Sequence, residues 1–292
     1  MKTFKNKVAV VTGAASGIGK SLARHCAENG MKIALADVEK DALSATEAGL
    51  KAAGADVTAV LTDVSVYEDV RALAQETMSR YGRVDLLFNN AGVAAGGALW
   101  ECSLNDCKWV INVNLWGMIH CIREFVPLML SGVGPGHIVN TASIAGVSTY
   151  HPSALYHLTK HALVALSEQL YHDLALRGSQ IKVSVLCPGF VNTNIMDADR
   201  NRPDMYRDDP ADPLSRPGTE DAEKIFADMI RSGMPPRKVA HLVFDAIKSD
   251  RFFIFTHPET APLIRSRMED MVGGRNPVLP PLEGPLPGNA GR

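Results

Sequence analysis

Seven short apolar runs, each bounded by turn residues, recur along the chain with stretches of helical length between most of them. They are KVAVVTG (7–13), KIALAD (32–37), DVTAVLTD (56–63), VDLLFNNAG (84–92), GHIVNTAS (136–143), KVSVLCPG (182–189) and FFIFTH (252–257). Near-continuous apolarity marks strands that are covered on both faces. The segments between them, such as 40–53, 67–81 and 154–177, are rich in Ala, Leu, Glu, Lys and Arg. Strand alternating with helix predicts a parallel sheet with helices on both faces. Right-handed crossovers then leave the doubly wound (Rossmann) α/β arrangement as the default.

A length of 292 residues allows one domain or two, and seven strands in one sheet favour one. We place that domain at 1–257, with 190–235 as an insertion beside the substrate. Within it, 197–220 carries four prolines (Pro203, Pro210, Pro213, Pro217) among mixed charges, and reads either as a lid or as a solvated, disordered excursion. Residues 258–292 form a Pro/Gly-rich extension, with five prolines and five glycines in 273–292 and no packed core of its own.

With 30 basic and 32 acidic residues the net charge is -2, which leaves no basic excess for a nucleic-acid backbone. Five scattered cysteines (Cys26, Cys102, Cys107, Cys121, Cys187) form no C-x-x-C pair, as expected of reduced thiols in a cytoplasmic protein. The apolar run near the N-terminus is too short for a signal-peptide core, and no run approaches the roughly 18 residues of a membrane span.

The loop GAASGIGKS (13–21) follows the first strand and precedes a helix whose apolar side runs through Ile18, Leu22 and Cys26. It misses the P-loop pattern because Ala14 stands where the first glycine belongs, and misses G-x-G-x-x-G because Leu22 replaces the last. Its position still makes an anion site from backbone N–H groups and a helix N-terminus. Gly13 would allow the turn, and Gly17 and Gly19 would let backbone approach a pyrophosphate. Lys20 falls inside the helix as a solvent-facing residue.

Asp37 ends the second strand, about twenty residues further on, where an acidic side chain accepts hydrogen bonds from both ribose hydroxyls and repels a 2'-phosphate. That favours NAD over NADP. A surface aspartate at a strand end is the plainer alternative.

Tyr156 and Lys160, four apart at the start of a predicted helix, project onto one face. A tyrosine working as a base near pH 7 needs a shift of about 3 units, or about 4 kcal/mol. One ammonium at about 4 Å in an effective dielectric of about 20 supplies roughly that.

The ordered set of motifs resembles the single-domain short-chain dehydrogenase/reductase family over about residues 5–257. The set is Thr12-Gly13-x-x-x-Gly17-x-Gly19, Asp63-Val64, Asn89-Asn90-Ala91-Gly92, Asn114 in NVNLWG, Ser143, Tyr156-x-x-x-Lys160, and Pro188-Gly189 followed by Thr193. The resemblance implies that Tyr156 is the acid/base, that Lys160 lowers its pKa and binds the nicotinamide ribose, and that Ser143 holds the substrate oxygen. It implies that Asn114 interrupts its helix to hold a water linking Lys160 to solvent. Gly13, Ser16, Gly17, Ile18, Gly19 and Asp37 would bind the cofactor. So would Asp63, Val64, Asn90, Ala91, Gly92, Pro188, Gly189 and Thr193, with Asp63 and Val64 at the adenine and Thr193 at the carboxamide.

Substrate contacts would include Val93, Ala94, Ala145, His151 and Phe190 besides Ser143. Their mostly small or apolar character points to an apolar alcohol or ketone of moderate to large size. The expected activity is NAD-dependent oxidation and reduction at a CH–OH group, with NADP disfavoured, no metal, and a homodimer or homotetramer as the assembly. NADPH-dependent reduction of a 3-oxoacyl thioester and non-catalytic NAD binding are the alternatives; a P-loop hydrolase is a remote third.

His157 and His161 are read as surface histidines, Cys102 and Cys107 as ordinary thiols, and Arg200, Arg202 and Arg207 as part of a solvated mixed surface.

Overall fold

A computed structural model describes residues 1–95, 97–150, 153–208 and 220–278. Seven parallel strands form one sheet: β1 (Val8–Thr12), β2 (Lys32–Asp37), β3 (Val57–Leu61), β4 (Leu86–Asn89), β5 (His137–Thr141), β6 (Lys182–Cys187) and β7 (Phe253–Phe255). Their order is β3-β2-β1-β4-β5-β6-β7, the doubly wound order expected from the sequence. The helices are α1 (Gly17–Glu28), α2 (Lys40–Ala52), α3 (Tyr67–Tyr81), α4 (Leu104–Ile111), α5 (Gly117–Ser131), α6 (Ala154–Leu176), α7 (Glu220–Arg231), α8 (Pro236–Lys248) and α9 (Ala261–Val272).

Successive residues of a strand face opposite ways, and the packing divides accordingly. Ala9 and Val11 of β1, Ile33 and Leu35 of β2, and Leu86 and Phe88 of β4 meet Leu22 and Cys26 of α1 and Val243 and Phe244 of α8. Their neighbours Val10, Ala34, Ala36 and Leu87 meet Val70 and Leu73 of α3, Phe125 of α5 and Leu170 of α6. Because both faces are largely buried, the strands are mostly apolar, and buried polar exceptions pair across the sheet, Asn89 with Asn140 and His137 with Ser184.

The segment 190–235 begins and ends at one place. Val191 and Met234 form an isolated parallel bridge, where Asn192 N–H donates to the Met234 carbonyl (3.0 Å) and Met234 N–H to the Phe190 carbonyl (2.9 Å). Within 258–292, residues 261–272 are the helix α9, an element the Pro/Gly reading of the extension did not anticipate.

At the N-terminal edge of the sheet, Asp85 is buried and accepts from Val8 N–H (2.9 Å), Lys7 Nζ (3.1 Å) and Arg83 Nε (2.9 Å). Replacing it would leave a buried N–H and two cations without their acceptor. We predict that Asp85→Ala lowers the unfolding free energy by about 2–4 kcal/mol in a urea titration.

Candidate active site

Strands β2 and β3 lie on one side of β1 and β4 on the other, so the connections leave the sheet in opposite directions and open a crevice at the C-terminal ends. Thr12 laces its floor. Its Oγ1 accepts from Asn90 N–H (2.9 Å) and Ala91 N–H (3.1 Å) and donates to the Phe88 carbonyl (3.3 Å), while Asn90 Nδ2 donates to the Thr12 carbonyl (3.1 Å).

Gly13 makes the turn out of β1 at φ +65°, and Gly17 opens α1 at φ +50°. A Cβ on Gly17 would lie 3.0 Å from Thr193 Cγ2, so the loop and the segment after β6 meet there. Ser16, at the helix N-cap, makes no side-chain cap, and the first turn carries no acidic residue. The end of α1 thus suits an external anion, which is the fit a pyrophosphate requires. Gly19 does not line the cleft with Gly13, Ser16, Gly17 and Ile18. Its own Cβ would fall 2.0 Å from the Gly13 carbonyl and 2.6 Å from Asn90 Nδ2, so its task is to let α1 press against the loop.

Asp37 also lines the cleft, yet it is 8% exposed, which excludes the plain surface reading. Its Oδ2 accepts from Ala15 N–H (2.8 Å) and its Oδ1 from Glu39 N–H (3.0 Å). Burial raises the carboxyl pKa, and these two bonds work against the rise. Each oxygen keeps a further acceptor site for a ribose hydroxyl. Asp63, Val64, Asn90, Ala91, Gly92, Pro188, Gly189 and Thr193 complete that stretch of the lining.

At the other end stand Ser143, Tyr156 and Lys160. Ser143 Oγ accepts from Ala145 N–H (3.1 Å) and lies 3.4 Å from the Pro188 carbonyl, to which it donates. Lys160 is buried one helical turn from Tyr156. Its Nζ donates to the Thr141 carbonyl (3.1 Å) and sits 5.3 Å from the centre of the Tyr156 ring. Burial pushes the Lys160 ammonium down to about 8. It pushes the Tyr156 phenol up, and the Ser143 hydroxyl lowers it when turned to the phenol oxygen instead of the Pro188 carbonyl. Burial here opposes the depression of the phenol that the sequence argument assigns to the ammonium. Loss of water shifts both groups toward neutrality first.

Asn114 lies in a π-helical turn, Asn112–Trp116, between α4 and α5, so the helix is interrupted where the resemblance implied. Its side chain is behind the cleft. Oδ1 accepts from Val93 N–H (2.8 Å), and Nδ2 donates to the Val93 carbonyl (2.9 Å) and to Thr159 Oγ1 (3.1 Å), which ties the loop after β4 to α6. A Cβ on Gly92 would approach both Asn114 Oδ1 (3.3 Å) and Lys160 Nζ (3.5 Å).

Val93, Ala94 and Phe190 line the end of the cleft that holds Ser143 and Tyr156. Ala145 is fully buried and does not, since its role is the N–H held by Ser143; His151 lies outside the described residues. Sequence reasoning placed substrate contacts in 144–151 and in the 190–235 insertion without singling out Tyr150, Phe226 and Ile230, which line the cleft. Tyr150 and Phe226 stack at 5.9 Å, and Phe226 meets Phe190 edge-on at 6.0 Å, forming an aromatic wall. The i, i+4 spacing of Phe226 and Ile230 was the available signal of an apolar helix face.

Two arginines contradict the solvated-surface reading. Arg202 has a side chain 10% exposed, pairs with Asp106 (2.8 Å) and Asp208 (3.1 Å), and lies 5.3 Å over the Trp109 ring. Arg200 pairs with Glu39 at 2.6 Å. Arg207 is exposed beside Asp204. His157 is likewise no surface residue. It is buried, accepts from Tyr150 N–H at Nε2 (3.2 Å) and donates from Nδ1 to the Ser153 carbonyl (2.7 Å). Among the described residues no group of three or more His, Cys, Asp or Glu side chains could hold a metal ion.

Residues 7–204 match the family model described as short chain dehydrogenase. A crystal structure of a short chain dehydrogenase/reductase from Burkholderia phymatum, in complex with NAD, is 46% identical at a TM-score of 0.92, covering 96% of this chain and 99% of that one. The "CLA biosynthesis dehydrogenase/reductase" of Lactiplantibacillus plantarum is 35% identical over 97% of this chain and 99% of its own. The "1-deoxy-11-beta-hydroxypentalenate dehydrogenase" of Streptomyces exfoliatus is 36% identical over 95% and 92%.

The buried lysine yields a direct prediction. In an NMR titration of lysine Cε–H signals, one lysine, absent from Lys160→Met, should titrate near 8 while exposed lysines titrate near 10.4. Because burial disfavours the ammonium, the charge is lost as pH rises through that value.

Proposed function

The chain belongs to the short-chain dehydrogenase family, and from that premise we propose that it is an NAD(H)-dependent oxidoreductase interconverting a secondary alcohol and a ketone of apolar character. The observation that carries the reading is one cleft with Asp37 at one end and Ser143, Tyr156 and Lys160 beside an aromatic wall at the other. NAD in the complex of the Burkholderia protein supports the cofactor. The name of the Streptomyces relative, a dehydrogenase of a hydroxy compound, supports the reaction class.

The glycine loop and the N-terminus of α1 would hold the pyrophosphate, Asp37 the ribose hydroxyls, and Asp63 and Val64 the adenine side. When bound, the nicotinamide supplies the hydride acceptor, or in the reverse direction the donor. Ser143 positions the substrate oxygen and stabilises charge on it. Tyr156 receives the hydroxyl proton through its phenol oxygen, or returns it to a carbonyl. The positive charge of Lys160 beneath the ring favours the phenolate form, against the burial that raises it. Phe190, Phe226 and Tyr150 exclude water from that end and select an apolar body of moderate to large size. Asp37 counts against NADPH and hence against thioester reduction with it.

The full catalytic set counts against a binding-only role. We further propose a cytoplasmic homodimer or homotetramer formed through α5 and α6, whose exposed Trp116 flank, Leu158 and Tyr171 are apolar surface. Among the described residues no helix is long and apolar enough to cross a membrane.

Tyr156→Phe should lower turnover of an alcohol panel, followed by NADH absorbance, by about 10²–10⁴-fold while NADH binding persists. Full activity in that variant would overturn the mechanism. Light scattering should give a mass of two or four chains, and a monomer alone would refute the assembly.

A further inference from the structure

Glu39 and Arg200 are 161 positions apart and both line the Asp37 end of the cleft. Four of the five guanidinium N–H donors are engaged there. Its Nη2 and Nε donate to the two carboxylate oxygens of Glu39 (2.6 and 3.3 Å), and its Nη1 donates to the carbonyls of Asn194 (3.1 Å) and Asp197 (2.5 Å). Asn201 Nδ2 adds a bond to Glu39 Oε1 at 3.0 Å. The Glu39 carboxyl is held below its ordinary value, chiefly by Arg200. Glu39 is joined to Asp37 as well, through its N–H on Asp37 Oδ1.

Asp37, Glu39 and Asp63 thus contribute three carboxylates to this end of the cleft, and among the described lining residues there Arg200 is the cation. A guanidinium with free donors is a phosphate ligand, whereas one paired bidentately with a carboxylate is not. We propose that Glu39 determines cofactor specificity by occupying Arg200. The ion pair keeps the arginine from engaging a 2'-phosphate, and so discrimination against NADP rests on Glu39 as well as Asp37. This rests on the nicotinamide reading of the cleft. Glu39→Gln isolates the charge: glutamine can still accept from Asn201, and Glu39 at the N-cap of α2 makes no side-chain cap that the change would break.

The test is equilibrium titration of NADH and NADPH into the full chain, read by cofactor fluorescence, for wild type, Glu39→Gln, Arg200→Gln and the double variant. Glu39→Gln should tighten NADPH about tenfold, the scale of one charge-assisted phosphate contact, and move NADH less than about twofold. The double variant should lose that gain. Unchanged NADPH affinity, an equal weakening of both cofactors, or a gain that survives in the double variant would each overturn the proposal. If wild type binds neither cofactor, the nicotinamide reading falls with it. If wild type binds NADH and only the variant pattern fails, that reading stands and this inference alone is lost.

Discussion

The Thr12 hydroxyl is the joint on which the crevice depends. Strands β1 and β4 are neighbours whose connections depart in opposite directions, and nothing in the sheet ladder holds the chain beyond their last residues. Thr12 Oγ1 collects two N–H groups from Asn90 and Ala91 and gives its proton to Phe88, so the strand ends are locked together where the sheet stops. The glycine turn, the loop to Gly92 and the packing of α1 all start from that lock. A valine of the same shape would keep the packing and leave two part-buried N–H groups without their acceptor.

Burial sets the acid–base character of the other end. Both Tyr156 and Lys160 are drawn toward their uncharged forms, in opposite directions on the pH scale. The effect is a phenol and an amine poised close together, with Ser143 and the Thr141 carbonyl as fixed partners. A charge arriving beside them meets little competing water, and therefore shifts the pair more than it would at the surface.

The sheet was legible because burial on both faces writes a run of apolar residues wherever a strand passes. The Tyr156–Lys160 pair was legible because four residues make one helical turn. Gly19 shows a limit of that reading: a glycine required by helix packing and one required by a ligand look the same in a sequence, and the distance to the Gly13 carbonyl shows that packing requires this one. Arg200 and Arg202 were lost for a different reason. Their partners Glu39 and Asp106 lie 161 and 96 positions away, and no local period records such a pairing. Ala145 was placed in the cleft by its proximity to Ser143, but a tight turn buries the neighbour of the residue it presents.

The bridge between Val191 and Met234 has a consequence for how such a protein changes over time. Because the two ends of the intervening segment are already fastened side by side, its length enters the folding free energy only logarithmically. The sheet, the glycine turn and Ser143, Tyr156 and Lys160 lie outside it. Changes of length in that cassette away from Thr193 and Arg200 can therefore remodel the Phe226 side of the aromatic wall while the sheet and the glycine turn are inherited intact.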